Sequence, residues 1–319
     1  MNKAASNMPA QGDAAVPAMA SAKDDFMALT KARLSGLVVV TTLAGYWLGV
    51  ERGGLADGWR LGHTVFGTAL CAFGSAVFNQ LIEIDADARM TRTADRPLPG
   101  RRIPAAGAFL IGLILSGWGV VHLVNKVNAE AAAFAAATLV IYLFIYTPLK
   151  QRSASNTLVG AVSGALPPVI GWAAAAGPDP TAVAFRWSWL HRAEAWWLFA
   201  LLFLWQLPHF LAINWMYRDD YRRAGFVMWS NDDESGALTS ALALAFSASL
   251  IPIALWPAAA GFAHWSVAAG LIALTLWLVW LSVKFRRDRT RASARRLFFA
   301  TLAYLPLALI LVLAGSRPA

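Results

Sequence analysis

Three oxygen-bearing side chains, those of Asn79, Glu83 and Asp87, follow one another at intervals of four residues. On a helix this spacing stacks them along one face, whereas Asp85 falls on roughly the opposite side. Asn79 and Glu83 end a long apolar stretch, and carboxylates at such depth in a membrane protein usually mark function. Mg²⁺ prefers oxygen ligands of this kind and completes its shell with phosphates and water. The spacing therefore favours a magnesium site over the alternative, a helix end that emerges into water.

Arginines follow this acidic motif at once, as Arg89, Arg92, Arg96, Arg101 and Arg102. The planar guanidinium group matches the geometry of phosphate oxygens. Acidic residues for a metal beside basic residues for phosphate are the combination that a diphosphate–Mg²⁺ substrate requires. For the arginines after residue 95, mixed charge in a solvated loop is an equally good interpretation.

A second polar cluster, in residues 218–223, contains Asp219, Asp220 and Tyr221 among three arginines, and a short segment before it adds Lys150 and Arg152. Two acidic clusters that face each other could hold two Mg²⁺ ions with a diphosphate between them. Departure of the diphosphate leaves an allylic carbocation, and nearby cations would stabilise the charge that grows on the leaving group. The apolar helices would house a long isoprenoid tail.

His209 follows Pro208 near the end of another apolar stretch. A lone histidine in such a place is more often a hydrogen-bonded structural residue. The alternative is a ligand to a metal or to a porphyrin iron. Pro208 could open the helix locally and free backbone groups there.

Membrane helices are the elements that must position these residues. Of 319 residues, 58% are hydrophobic and 14% charged, against about 25% charged in soluble domains. The basic residues lie between apolar stretches, so loop charge explains the net charge of +9 better than nucleic-acid binding does. The single cysteine, Cys71, lies in an apolar run and excludes an intrachain disulfide.

A bilayer core of ~30 Å requires roughly 20 mostly apolar helical residues. The stretches that meet this requirement are 34–50, 64–84, 105–124, 130–147, 156–175, 195–216, 237–257, 265–284 and 297–315. We therefore predict an all-α fold, a polytopic membrane helical bundle of about nine transmembrane helices.

The charge distribution predicts the orientation of this bundle. With nine spans, all but six of the 27 lysine and arginine residues fall on the side of the N-terminus. This asymmetry predicts a cytoplasmic N-terminus and an outer C-terminus in a bacterial inner membrane. The basic segment 285–296 is interpreted as a loop that contacts anionic lipid. Residues 1–25 are rich in Ala, Ser and Pro, which indicates a disordered tail before a membrane domain at 26–319.

Taken together, the motifs resemble the UbiA superfamily of intramembrane prenyltransferases, and within it the branch that acts on heme. The resemblance spans roughly residues 26–315. It rests on residues 29–33, Asn79, Glu83, Asp87, Met90, Arg92, Thr93, Arg96, Pro97, Leu98, residues 146–150, Asn156, Gly160, Gly164, Pro167, Pro168, Gly171, residues 205–210 and residues 220–225. The chain departs from the family pattern at Ala32, where proline is common, at Gln151, and at the adjacent pair of acids near residue 220. Residues 177–194 resemble an insertion on the outer face.

The resemblance implies farnesyl transfer from farnesyl diphosphate to the vinyl group of protoheme IX, with addition of water, giving heme O and diphosphate. The implied magnesium ligands are Asn79, Glu83 and Asp87, with Asp219 and Asp220 as ligands of a second Mg²⁺ or as groups that orient substrate. The implied diphosphate ligands are Arg92, Lys150 and Arg152. The remaining substrate-binding residues are Arg96, Tyr146, Asn156 and Tyr221, with His209 as the candidate heme contact. Further implied partners are membrane lipid and a downstream heme A synthase or oxidase assembly protein.

Two other functions stay open at this stage. A related enzyme could prenylate an aromatic acid in quinone biosynthesis, although residues 205–210 argue against that branch. A transporter could line a pathway with intramembrane acids, but such proteins often carry inverted repeats and place these acids near the midplane. Here no internal repeat is evident, and the acids lie near one face.

Overall fold

The computed structural model describes residues 21–54, 56–178, 185 and 189–315, and in these ranges the chain forms helices and no strand. The helices are α1 (Ala22–Leu29), α2 (Ala32–Glu51), α3 (Gly58–Ile82), α4 (Ile84–Ala88), α5 (Ala105–Lys126), α6 (Ala129–Val140), α7 (Thr147–Leu149), α8 (Asn156–Ala165), α9 (Pro167–Ala176), α10 (Ala193–Met216), α11 (Arg218–Ala224), α12 (Ala237–Ala248), α13 (Leu250–Ala259), α14 (Trp265–Asp288) and α15 (Arg291–Gly315). A π-helical segment, Ile141–Tyr146, joins α6 to α7.

Within the described residues, nine helical stretches are long and apolar enough to cross a bilayer. They are Ala32–Glu51, Gly58–Ile82, Ala105–Lys126, Ala129–Leu149, Asn156–Ala176, Ala193–Met216, Ala237–Ala259, Trp265–Asp288 and Arg291–Gly315. Each overlaps one predicted span, so the predicted all-α membrane bundle is confirmed.

Two predicted boundaries need correction. The segment 285–296 is mostly helical, because α14 continues to Asp288 and α15 begins at Arg291. The turn between them is made by Arg289, in the left-handed conformation at φ 50°, and Thr290. Helix α10 also continues through Pro208, so that the possible local opening at this proline does not end the helix.

The predicted disordered tail at 1–25 lies mainly outside the described residues, but its last part is folded. Helix α1 begins at Ala22, and the side chain of Ser21 caps it by accepting from the amide of Asp24. Asp25 is buried and accepts from Arg102 Nε at 2.9 Å. The sequence pattern missed this helix because its partner, Arg102, lies far along the chain.

Close helix contacts depend on glycine at several points of the bundle. A Cβ atom at Gly45 would lie 1.9 Å from the carbonyl oxygen of Pro168, and one at Gly171 would lie 1.9 Å from that of Thr42. Helices α2 and α9 therefore touch backbone to backbone. Small residues of this kind let membrane helices approach closely where the hydrophobic effect between helices is weak.

We expect Gly171→Ala to destabilise the fold strongly, because a methyl group has no space against the α2 backbone. Overpacking of this kind costs ~1–3 kcal/mol or more. The matched control is Gly117→Ala, since an added Cβ there meets nothing within 4 Å. Heating each variant in detergent and measuring the remaining monodisperse protein checks the prediction, and equal melting of the two variants would contradict it.

Candidate active site

The C-terminal end of α3 and the start of α4 present the three predicted magnesium ligands to one cavity. Helix α3 ends at Ile82 and α4 begins at Ile84, with Glu83 between them at φ −102°. The four-residue spacing survives this break, because Glu83 N donates to Asn79 O (3.1 Å) and Asp87 N donates to Glu83 O (2.8 Å). All three side chains are buried and line the same polar cavity of about 230 Å³.

Each of these three groups is held by a cation from a different segment of the chain. Asp87 Oδ2 accepts from Arg96 Nη1 at 2.7 Å, and Glu83 Oε1 accepts from Lys150 Nζ at 2.7 Å. Asn79 Oδ1 accepts from Lys31 Nζ at 2.5 Å. Buried carboxylates require such partners, since an unpaired ionised group away from water is costly.

Lys31 lies in the turn between α1 and α2, in the left-handed conformation at φ 46°. This conformation is uncommon for a residue with a Cβ. Burial lowers the pKa of Lys31 to about 7, and the positive charge of Arg96 acts in the same direction. Burial makes the charged form of this amine unfavourable, and an anion that enters the cavity would stabilise that charged form.

Lys150 is fixed from three sides. Its ammonium lies 4.6 Å from the ring centroid of Tyr146 and 5.6 Å from that of Phe226. Burial alone would lower the pKa of Lys150, but the charge of Glu83 outweighs burial and raises it. The lysine therefore stays a cation. Asn156 supports the backbone of Lys150 indirectly, through Val227. The side-chain amide nitrogen of Asn156 donates to Val227 O (2.8 Å), and Val227 N donates to Lys150 O (2.6 Å).

The π-helical segment turns two tyrosines, Tyr142 and Tyr146, towards the cavity, with ring centroids 5.2 Å apart. Short π-helical segments of this kind occur frequently at functional sites. Gly160 leaves the space for the Tyr146 ring, since a Cβ there would lie 2.6 Å from it.

Arg92 completes the basic lining. Its Nη2 donates to the hydroxyl of Tyr221 at 3.3 Å, and its guanidinium lies 5.4 Å from the Tyr221 ring and 5.5 Å from the Tyr217 ring. Burial raises the pKa of Tyr221, so its hydroxyl keeps its proton. Among the charged residues that line the cavity, four are cations and two are anions. The cavity therefore attracts anions.

A second, mostly apolar chamber of about 270 Å³ adjoins the polar cavity. The two share Lys31, Leu34, Tyr142, Tyr146 and Phe210 in their walls. Beyond them, the chamber is lined largely by small and aliphatic side chains of α2, α3, α6, α8 and α9. The arrangement suits a ligand with a phosphate head and a hydrocarbon tail.

Three predicted site residues are not brought to this cavity. Arg152 is exposed, and the Asp219 side chain is 72% exposed and pairs only distantly with Arg218 at 3.8 Å. Asp220 forms an ion pair with Arg223, which also donates to Thr91 Oγ1 at 3.4 Å. Arg223 therefore links α11 to the loop after α4, and Asp220 pairs with it within α11. None of the three lines the polar cavity, so the structure does not support their predicted roles in holding diphosphate and a second metal.

His209 also lies outside both cavities. Its Nδ1 lies 2.8 Å from Thr301 Oγ1, and its ring stacks between Trp205 and Phe298, with the Phe298 centroid at 4.7 Å. Trp205 Nε1 donates to Thr301 O at 2.6 Å. The structure thus favours the structural interpretation of His209, which fastens α10 to α15, over the predicted heme contact.

The cavity residues that were not predicted as site residues include Lys31 and Asn214. In the sequence, Lys31 was noted only as part of a family motif. Its position directly before the first span, at the depth of Asn79, could have marked it as a site residue. Asn214 is buried and lines the cavity, and its amide nitrogen has no hydrogen-bond partner among the described residues. A buried unpaired amide at a polar cavity is a site where a ligand can bind.

The cavity fits Mg²⁺ by the chemistry of its donors. Asn79, Glu83 and Asp87 offer only oxygen atoms, the ligands that this ion prefers. Within the described part of the chain no three His, Cys, Asp or Glu residues lie close enough to hold a metal by themselves. Mg²⁺ needs no such cluster, because it is usually held by one or two carboxylates together with substrate phosphates.

Comparison with known proteins shows the family of this chain. The model of the UbiA prenyltransferase family matches residues 38–303. The chain is 41% identical to the protoheme IX farnesyltransferase of Solibacter usitatus, over 89% of this chain and 95% of that protein. It is 38% identical to the mitochondrial protoheme IX farnesyltransferase of Arabidopsis thaliana, over 87% of this chain and 62% of that protein.

Solved structures share the fold at low sequence identity. A UbiA homologue from Aeropyrum pernix superposes with a TM-score of 0.67 at 17% identity, covering 88% of this chain and 96% of the homologue. A UbiA homologue from Archaeoglobus fulgidus, bound to GPP and Mg²⁺, superposes with a TM-score of 0.63 at 13% identity, covering 90% of this chain and 99% of the homologue.

We expect Lys31→Met to weaken the binding of Mg²⁺-diphosphate by about ten- to a hundredfold, because one charge-assisted contact is worth ~1.5–3 kcal/mol. Lys23→Met is the control, since Lys23 is an exposed lysine of α1. Calorimetric titration of the purified variants with inorganic diphosphate and Mg²⁺ measures the effect. Equal affinity in the two variants would remove Lys31 from the site.

Proposed function

The chain belongs to the UbiA prenyltransferase family, and from this membership and its cavity we propose that it transfers the farnesyl group of farnesyl diphosphate to the vinyl group of protoheme IX. Curated relatives with the name protoheme IX farnesyltransferase are 36–41% identical over about nine-tenths of the chain. The observation that carries the proposal is the polar cavity, in which an Asn–Glu–Asp row faces four cations beside an apolar chamber.

The donor would bind with its diphosphate in the polar cavity and its isoprenoid chain in the apolar chamber. We propose Asn79, Glu83 and Asp87 as the ligands of Mg²⁺, which when bound neutralises the diphosphate and so improves it as a leaving group. Lys31, Arg92, Arg96 and Lys150 line the same cavity and would bind the phosphate oxygens. Their positive charges would stabilise the negative charge that develops on the diphosphate as the carbon–oxygen bond breaks.

The proposed reaction forms two bonds in turn, first a carbon–carbon bond and then a carbon–oxygen bond to water. The carbon–oxygen bond of the donor breaks, its electron pair leaves with diphosphate, and the terminal vinyl carbon of the porphyrin bonds to the allylic carbon. The cation that remains beside the porphyrin ring takes up water and loses a proton, which leaves a hydroxyl group. Tyr142, Tyr146 and Phe210 stand where the two cavities meet, and their ring faces can stabilise the allylic cation.

The protein is an integral membrane protein. We further propose that it lies in a bacterial inner membrane with its N-terminus and the polar cavity on the cytoplasmic side, since the basic residues collect at that face. We also infer that the product passes to another membrane protein, because a farnesylated porphyrin partitions into lipid.

The proposed orientation predicts from which side of the membrane an introduced cysteine can be labelled. In a Cys71→Ala background, Arg101→Cys should react with an impermeant maleimide only after the vesicles are opened, if they enclose the cytoplasmic side. Trp59→Cys, at the opposite end of α3, should react at once because Trp59 is exposed. The reverse pattern would invert the proposed topology.

The proposed activity is tested on protein purified in detergent. Incubation with protoheme, farnesyl diphosphate and Mg²⁺ should give a farnesylated, hydroxylated heme by mass spectrometry. If an aromatic acid is prenylated instead in a parallel reaction, the acceptor assignment is wrong and the chain belongs to the quinone branch.

Within this assay Glu83→Gln should reduce turnover by a factor of ~100 or more, because the amide cannot supply the charge of a metal ligand in a low-dielectric site. The folded protein should remain, since an amide of the same shape can still accept from Lys150. Asp219→Asn is the matched control and should keep near-full activity, as its carboxylate is exposed. A Glu83→Gln variant as active as the control would exclude the magnesium assignment.

A further inference from the structure

A third concavity, which none of the assignments above uses, lies where the inner ends of α10 and α15 meet. This groove measures about 730 Å³ and is lined by Met216, Tyr217, Arg291, Ala292, Arg295, Phe298 and Phe299. Its size lies in the range of ~300–1,000 Å³ that is usual for small-molecule and cofactor sites. We refer to it as the α10–α15 groove.

Two arginines one helical turn apart form its basic part. Arg291 lies 5.6 Å from the ring centroid of Tyr217, and Arg295 lies 5.5 Å from that of Phe299. Both arginines are exposed, and neither is among the ion pairs formed by the described residues. Two cations without acidic partners, four residues apart on one helix face, match a ligand with two carboxylates.

Aromatic rings form the rest of the groove. Phe298 is fixed from behind by the stacked His209, whose position is set in turn by Thr301. Phe299 packs edge-on against Phe298, with centroids 5.2 Å apart. Rings held in this way offer a preorganised apolar surface to a flat aromatic ligand.

One aromatic ring links the groove to the prenyl-transfer site. Arg291, in the groove, and Arg92, in the polar cavity, both lie within 5.6 Å of the ring centroid of Tyr217. The groove thus stands at the same membrane depth as the diphosphate site, beside it rather than inside it. A ligand in the groove would be a neighbour of the donor.

We propose that the α10–α15 groove binds the carboxylate edge of the porphyrin acceptor, with Arg291 and Arg295 on the two propionates. This assignment rests on the proposed function, which supplies an acceptor that is flat, apolar and twice negatively charged. The two propionates lie on one edge of protoheme and the vinyl groups on other pyrrole rings. Anchoring the propionates at the basic inner rim leaves the apolar remainder of the macrocycle, with its vinyl groups, in the bilayer, where the farnesyl chain lies.

The test combines a protein change with a matching ligand change. The variant Arg291→Gln/Arg295→Gln should raise the KM for protoheme by roughly tenfold or more, while the KM for farnesyl diphosphate stays unchanged. Protoheme dimethyl ester, in which both propionates are neutral, should show a similarly raised KM with the wild-type protein. The double variant should not distinguish the acid from the ester. Arg296→Gln, an exposed arginine of α15 that does not line the groove, is the control.

Titration of each protein with protoheme, followed by its Soret absorbance, measures binding without turnover. If the wild-type protein binds protoheme more tightly than the double variant but makes no product, the proposed reaction fails and the groove assignment stands. If the double variant binds and uses protoheme as the wild type does, the groove assignment is overturned. It is also overturned if the loss appears only with phosphatidylglycerol present and is equal for acid and ester, since the groove would then hold an anionic lipid.

Discussion

Two ionised carboxylates and a carboxamide buried near one end of a membrane helix bundle are the constraint on which this structure depends. Glu83 and Asp87 each have ~5% or less of their surface exposed, and an unpaired buried charge costs several kcal/mol. The bundle must therefore bring a cation to each. Lys150 comes from the end of the fourth span and Arg96 from the loop after α4, while Lys31 reaches Asn79 from the turn before the first span. The site consequently ties together segments that the membrane spans would otherwise leave independent.

Meeting this constraint requires close control of helix positions. Backbone contact at Gly45 and Gly171 holds α2 against α9, and Lys31 directly precedes α2. The π-helical segment adjusts the fourth span so that Tyr146 and Lys150 reach the cavity together. Residues 205–210 act in a similar way. Gln206 lines the apolar chamber and donates to Ala161 O, while Trp205 and His209 hold α15. These residues support the site through packing. This role explains why His209, which was predicted to contact heme, lies outside the cavity.

The sequence predicted what depends on local spacing and hydropathy. The nine spans follow from apolar length alone, and Asn79, Glu83 and Asp87 converge because a four-residue interval is kept across the break at Glu83. It failed where the direction of a side chain depends on tertiary packing. Asp219 and Asp220 lie on α11 beside Tyr221, yet only Tyr221 lines the cavity, and no property of the acidic residue types predicts this difference. Asn214 was missed because a single amide in an apolar run has no partner in sequence that would mark it.

The pairing of each acceptor with a cation also bears on how the metal and the substrate arrive. Lys31, Lys150 and Arg96 donate to oxygens that we propose as ligands of Mg²⁺. A free metal ion would have to displace these cations and leave their charges buried and unpaired, which is unfavourable. An ion that enters together with a diphosphate meets no such penalty, because the displaced cations pair with the phosphate oxygens. The four cations of the cavity already outnumber its two anions, and from this exchange we infer that Mg²⁺ would bind with the prenyl diphosphate rather than before it.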